Sequence, residues 1–198
     1  KVNVDGTFNL LMSAKEHQVK RFIFSSSYTV YPMPLVPYSL HKLIGEQYCQ
    51  LFSNLWGLQT ISLRYFNVYG PGMRTDGQFT NLVPKFIKLI SANKAPTING
   101  DGEQSRDFVY VDDVIEAILI AASSPLTGTF NVGSGESTSI NDVVKILNRL
   151  LGKQTKPTYL PSLTEQKKAT VSRRDIGKLP GWKPMVKFQD GLARILSS

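Results

Sequence analysis

Arg21-Phe22-Ile23-Phe24-Ser25-Ser26-Ser27, then Tyr38 to Trp56, then Leu58 to Phe66: the order of these three segments decides the fold. The first is short, apolar and aromatic, and it runs into three serines. That pattern predicts a buried strand with a polar exit. From Tyr38 onward the apolar residues recur at helical spacing, and Gly57 marks the stop. After it, Ile61, Leu63 and Tyr65 alternate with Ser62 and Arg64, which predicts a second strand. Two strands joined through a long helix form a crossover, and crossovers join parallel strands.

Working outward, the same alternation continues. Val4 to His17 has helical spacing, with Phe8, Leu11 and Met12 on one face. Pro32 to Pro37 and Gly70-Pro71-Gly72 break the chain. An amphipathic helix is expected over Leu82 to Ala92, a strand over Arg106 to Val111, and a helix over Asp112 to Ala122. The acidic start of that helix suits its dipole. A short strand follows at Thr129 to Val132. Ser139 caps a helix reaching Leu151, Gly152 ends it, and a last helix starts at Phe188. Strands alternating with helices give an α/β fold class with a helix-covered parallel sheet.

Composition excludes several classes. The 198 residues are 41% hydrophobic and 19% charged, which a folded domain requires and a disordered tail lacks. One cysteine, Cys49, cannot form an internal disulfide, and with only His17 and His41 beside it a structural zinc site has too few ligands. The longest apolar run, Val114 to Ala122, contains Glu116 and is too short to cross a bilayer. No signal peptide leads the sequence, so a reducing cytoplasm is the expected location. The net charge of +8 suits an anionic partner, but the basic residues fall in small groups without interleaved aromatics, so nucleic acid is a minor expectation.

The candidate chemistry lies in Ser27, Tyr38 and Lys42. Tyr38 and Lys42 stand one helical turn apart, so both side chains leave the same face. A phenol ordinarily ionises near ~10 and is a weak base at neutral pH, and a neighbouring ammonium favours its anion. Ser27 ends a buried strand, at the sheet edge where parallel folds present ligands. Its hydroxyl can hold a substrate hydroxyl for proton transfer. The Tyr-x-x-x-Lys spacing alone is weak, because many helices carry it by chance.

The context is more specific. Phe22-Ile23-Phe24-Ser25-Ser26-Ser27-Tyr28-Thr29-Val30-Tyr31, Pro37-Tyr38-Ser39-Leu40-His41-Lys42-Leu43-Ile44-Gly45-Glu46, Leu63-Arg64-Tyr65-Phe66-Asn67-Val68-Tyr69-Gly70-Pro71-Gly72, Gly100-Asp101-Gly102-Glu103-Gln104-Ser105-Arg106-Asp107-Phe108-Val109-Tyr110-Val111-Asp112-Asp113 and Phe130-Asn131-Val132-Gly133 occur in order. Together they resemble the extended short-chain dehydrogenase/reductases that act on nucleotide sugars, most of all the UDP-sugar 4-epimerases. The resemblance implies NAD as cofactor and a UDP-sugar as substrate. Tyr38 would take the proton of the sugar 4-hydroxyl while hydride passes to NAD, and the 4-keto sugar would turn over and be reduced on its other face. Lys42 would hold the nicotinamide ribose, and Ser27 the reacting oxygen. Ser25, Ser26 and Phe66 match cofactor-lining positions. Asn67, Asn81, Leu82 and Arg106 match contacts to the nucleotide diphosphate, and Arg173 (or Arg174) matches a phosphate-closing arginine. Thr29 stands where related dehydratases and decarboxylases carry an acid, which favours epimerisation. Dehydratase, decarboxylase or reductase chemistry, and a non-catalytic nucleotide-sugar or RNA binder, are the competing expectations.

The family further implies a Rossmann-type sheet from residues 1–69, with 106–132 returning to it. A smaller substrate-binding part would come from 70–105 and 133–198. A homodimer is expected through the helices at 4–17 and 38–56, with Leu43, Tyr48, Leu51 and Phe52 as outer face or core. The glycine-rich turn that would cradle the pyrophosphate is not found, and Gly133-Ser134-Gly135 follows the wrong elements to serve as one. The segments between Tyr31 and Tyr38 and from Asp175 to Trp182 are shorter than in the family. These departures are what a piece of a longer polypeptide would show.

Overall fold

In the first strand Phe24, Ser26 and Ser27 are buried, Arg21, Phe22 and Ile23 are half-buried, and Ser25 is exposed. The computed structural model describes residues 1–31, 36–74, 81–162, 168–169 and 179–197. In chain order its elements are α1 (Asp5–Glu16), β1 (Arg21–Ser27), a 3-10 turn (Tyr28–Val30), α2 (Pro37–Trp56), β2 (Gln59–Tyr65), β3 (Asn67–Tyr69) and α3 (Leu82–Ser91). There follow β4 (Thr97–Asn99), β5 (Ser105–Arg106), β6 (Phe108–Tyr110), α4 (Val111–Ser123), β7 (Gly128–Val132), β8 (Thr138–Ser139), α5 (Ile140–Leu151), β9 (Thr158–Leu160), β10 (Lys168–Ala169) and α6 (Phe188–Ser197). Among the described residues no helix is long and apolar enough to cross a membrane.

Two compact units emerge. The first holds residues 1–66, 114–132 and 179–183. Its sheet has the order β1-β2-β7, and both pairings are parallel. Ser26 sits opposite Arg64 and Ser27 opposite Tyr65 in the β1–β2 register. Phe24 of β1 packs with Leu11 and Ala14 of α1 and Cys49 and Phe52 of α2 into one core. The β2 residues below α2 are small and polar. Thr60 Oγ1 donates to the Cys49 carbonyl at 2.8 Å, and Ser62 is fully covered. Burial pushes the Cys49 thiol up to about 12, so it packs as a small apolar group. Pro37 opens α2, where a missing N–H is no loss, and Gly57 closes it with a left-handed φ of 66°.

The second unit holds residues 67–113, 133–162, 168–169 and 184–197. β3 pairs with β6 and β4 with β9, both parallel, and β5 lies between β10 and β8. Tyr69, Phe86, Ile90, Phe108, Leu147 and Leu192 anchor its core. The Ser139 hydroxyl accepts from the Asp142 amide at 3.0 Å, which caps α5 as expected.

Two expectations need correction. The strand expected over Arg106–Val111 splits into β5 and β6 around Asp107, and Val111 already belongs to α4. Phe8 is 38% exposed, because the buried face of α1 is Thr7, Leu11 and Ala14. Of residues expected to share one part, 67–69 and 106–113 fall in the second compact unit, which leaves the assignment of functional parts an expectation.

Gly45 sets how closely α2 lies on β1. A Cβ there would overlap the Phe24 ring. Gly45→Ala should therefore lower stability by about 1–3 kcal/mol despite alanine's better helix propensity. Urea unfolding measures this; an unchanged midpoint would show that the ring swings aside freely.

Candidate active site

The polar exit of β1 is built before any ligand arrives. Ser27 is buried, and its hydroxyl faces the Thr29 hydroxyl at 3.0 Å while accepting from the Thr29 amide at 3.3 Å. Ser25 lies nearer water, and its hydroxyl donates to the Tyr65 hydroxyl at 3.4 Å. Ser26 points to the opposite face and donates to Glu46 of α2. Tyr28 stacks on Phe66 with ring centroids 4.8 Å apart.

Above this exit stands the N-terminal half of α2. Lys42 donates to the Ser25 carbonyl at 2.8 Å and lies 5.2 Å from the Phe24 ring centroid and 5.7 Å from that of Tyr38. Tyr38 is 47% exposed. Ser25, Ser26 and Ser27 thus end β1, and Tyr38 and Lys42 stand in the first turns of α2, with Lys42 bonded to Ser25. Burial lowers the Lys42 pKa below its ordinary value. Among the described residues no carboxylate pairs with Lys42. An ammonium offers three N–H donors, so those not given to Ser25 remain for a ligand.

Glu46 and Arg64, which lie inside the family blocks but received no role from the sequence, form a second polar group. The Arg64 Nε and Nη2 atoms donate to the two Glu46 oxygens at 2.8 and 2.6 Å, and the guanidinium lies 4.6 Å from the Tyr31 ring centroid. A signal was present: a glutamate among the core-facing residues of one helix, and an arginine in an otherwise buried strand.

The other predicted residues lie in the second unit. Asn67 Nδ2 donates to the Asp107 carbonyl at 3.0 Å. Asn81 is the exposed residue before α3, and Leu82 is half-buried in its first turn. Arg106 is half-buried on β5, with Nη1 donating to the Ser105 carbonyl at 3.1 Å. Asp107 is fully buried and accepts from the Ser134 amide, the Ser134 hydroxyl and the Gly135 amide at 2.7, 2.7 and 2.8 Å. The Ser134 and Gly135 amides are therefore spent on an internal carboxylate. Arg173 and Arg174 lie outside the described residues.

Residues 1–133 match the model of the NAD dependent epimerase/dehydratase family. The chain belongs to that family. It is 34% identical to a putative UDP-glucose 4-epimerase of Methanocaldococcus jannaschii over 99% of the chain and 68% of that protein. Among solved structures, the UDP-glucose 4-epimerase of Thermotoga maritima with UDP-glucose aligns with a TM-score of 0.93 at 33% identity, over 100% of this chain and 69% of that one. A UDP-glucuronic acid 4-epimerase of Bacillus cereus, solved with UDP-glucuronic acid and NAD, aligns with a TM-score of 0.89 at 31% identity, over 98% and 66%. The chain thus spans about two thirds of these relatives. The epimerase/dehydratase family includes other reactions too: a decarboxylase and a 4,6-dehydratase are further relatives at 31% and 27% identity. The ammonium, phenol and hydroxyls at the β1 exit fit the ribose end of the family's NAD, since a ribose presents two hydroxyl groups to such donors and acceptors.

The Lys42 shift has a pH consequence. Its folded pKa lies below the unfolded one, so between the two the unfolded chain binds more protons and stability rises with pH. Wild type should gain stability relative to Lys42→Met as pH climbs toward 10.5, the ordinary lysine value. Urea unfolding of both proteins from pH 8 upward checks this, and parallel curves would refute it.

Proposed function

We propose that this chain carries the catalytic part of an NAD-dependent UDP-sugar 4-epimerase. The observation that carries the reading is Lys42, bonded to a strand-exit carbonyl beside the Tyr38 ring, with no carboxylate partner among the described residues. Tyr38 takes the proton of the sugar 4-hydroxyl, with the Lys42 ammonium close to its ring. Ser27 holds that oxygen, with Thr29 bonded behind it. NAD, when bound, supplies the reversible two-electron oxidation at the sugar carbon. Lys42 holds the nicotinamide ribose, and Ser25, Ser26 and Phe66 line the cofactor; the Ser26 hydroxyl faces away toward Glu46, so Ser26 does this through its backbone. Tyr38 returns the proton after the ketone has turned over, so no net redox occurs.

The nucleotide diphosphate falls to Asn67, Asn81, Leu82, Arg106 and Arg173 in this reading, with residues 133–198 completing the substrate-binding part. The guanidinium of Arg106 suits phosphate oxygens by its fork. Thr29 supports epimerisation over elimination, because a hydroxyl is too weak an acid to replace the carboxylic acid that elimination uses. A homodimer through α1 and α2 is supported by exposed Leu10, Leu51 and Leu55, whereas Phe52 is core and does not face a partner. The protein acts in the cytoplasm.

Purified protein supplied with NAD should interconvert UDP-glucose and UDP-galactose, or their uronic or N-acetyl counterparts. Tyr38→Phe should abolish turnover and leave UDP-sugar binding by calorimetry nearly intact. Equal loss of both would give Tyr38 a packing role. A product absorbing in alkali as a 4-keto-6-deoxy sugar would make the protein a dehydratase, and binding without turnover in wild type would make it a sensor.

A further inference from the structure

We propose that Glu46, clamped by Arg64, is a positioning residue that sets where Lys42 and Tyr38 stand over the β1 exit. The inference rests on the epimerase reading. Glu46 follows Lys42 by one helical turn and Tyr38 by two, so the three share a face of α2. Its carboxylate is 6% exposed, and three donors from two strands converge on it: the Ser26 hydroxyl of β1 and both Arg64 nitrogens of β2. Ser26 and Arg64 are register partners, so the carboxylate bridges the two strands where they end. Arg64 also lies against the Tyr31 ring, just beyond the 3-10 turn. One guanidinium therefore ties α2, β2 and the chain leaving β1.

Stability alone does not require this pair. Burying two charges is expensive, and apolar residues of like volume often stabilise as well or better. A fork with fixed directions, in contrast, sets distance and angle between two elements. Among the described residues, the hydrogen bond of Lys42 is the one to the Ser25 carbonyl. Its place therefore depends on how α2 is held, and the neighbouring turn is held by Glu46. The close Gly45–Phe24 contact leaves α2 little room to slide without losing that fork.

The test compares wild type, Glu46→Gln, Arg64→Lys and the double variant Glu46→Leu/Arg64→Met, each as the whole protein loaded with NAD. Melting temperature, kcat, KM for the UDP-sugar and amide exchange over residues 38–46 are measured. The single Glu46→Gln change should lower melting temperature and kcat together. The double variant, with no unpaired buried charge, should regain melting temperature yet keep kcat reduced by on the order of 10–100-fold. KM should stay within about twofold, as for a loss confined to the transition state, and amides 38–46 should exchange faster. Arg64→Lys keeps the charge and loses the fork; it should show the same kcat loss, and it decides the matter if the double variant does not fold. Recovery of kcat along with stability, or wild-type kcat in Arg64→Lys, overturns the proposal and leaves the pair a purely structural contact. If Tyr38→Phe still turns over, the epimerase reading has failed instead. Amide exchange then judges Glu46 alone: unchanged protection over 38–46 overturns the clamp, and faster exchange upholds it.

Discussion

The seat of α2 on β1 and β2 is the constraint on which the first unit depends. Bulky side chains would hold a helix away from a sheet. Here Gly45 has no Cβ, and the β2 positions below are Thr60 and Ser62. Small polar groups under a helix would be a liability if left unbonded. Thr60 solves this by donating to the Cys49 carbonyl. Close approach then brings Lys42 within reach of the Ser25 carbonyl and Glu46 within reach of two strands at once. The polar exit is thus a consequence of backbone proximity, and that proximity comes from glycine, threonine and serine.

Carboxylates organise the second unit in a comparable way, though their partners are backbone amides. Asp107 gathers Ser134 and Gly135, and Asp113 accepts from the Met185 and Val186 amides at 2.9 and 3.1 Å. Each buried acid fixes a loop that has no ladder of its own to satisfy its N–H groups. The first matters for recognition, since Arg106 and Asp107 are adjacent and the peptide of Asp107 also receives Asn67. Fixing Asp107 therefore restrains two of the side chains assigned to the diphosphate.

The main elements were legible because local signals agreed with long-range packing. Gly57 and Gly152 adopt the left-handed conformation where the helical periodicity stops, and Ser139 caps where capping chemistry places it. The family blocks pointed to Ser27, Tyr38 and Lys42; Lys42 lies near the Tyr38 ring and bonds to Ser25, two residues before Ser27. Other features were not legible. β4 and β9 have three residues each and pair across some sixty intervening positions, so no local pattern announces them. The break at Asp107 interrupts Arg106–Val111 because its carboxylate turns to the Ser134 loop, a partner remote in sequence. Glu46 escaped notice for a different reason. On a helix a single glutamate usually reads as solvated, and only the joint burial of Glu46 and Arg64 shows that they need one another.

Charge placement at the β1 exit then separates two kinds of cation. Arg64 is neutralised in place by Glu46, so its field is largely cancelled beyond the pair. Lys42 has a carbonyl and two aromatic rings, which stabilise its charge without cancelling it. Burial already disfavours that charge. An anion arriving beside it recovers part of the lost solvation. If Glu46 were free to turn toward Lys42, it would supply that anion itself. Arg64 prevents this by occupying both carboxylate oxygens. The clamp therefore has an electrostatic effect beyond its geometric one: it keeps the helix's own carboxylate away from the ammonium that the proposed chemistry requires.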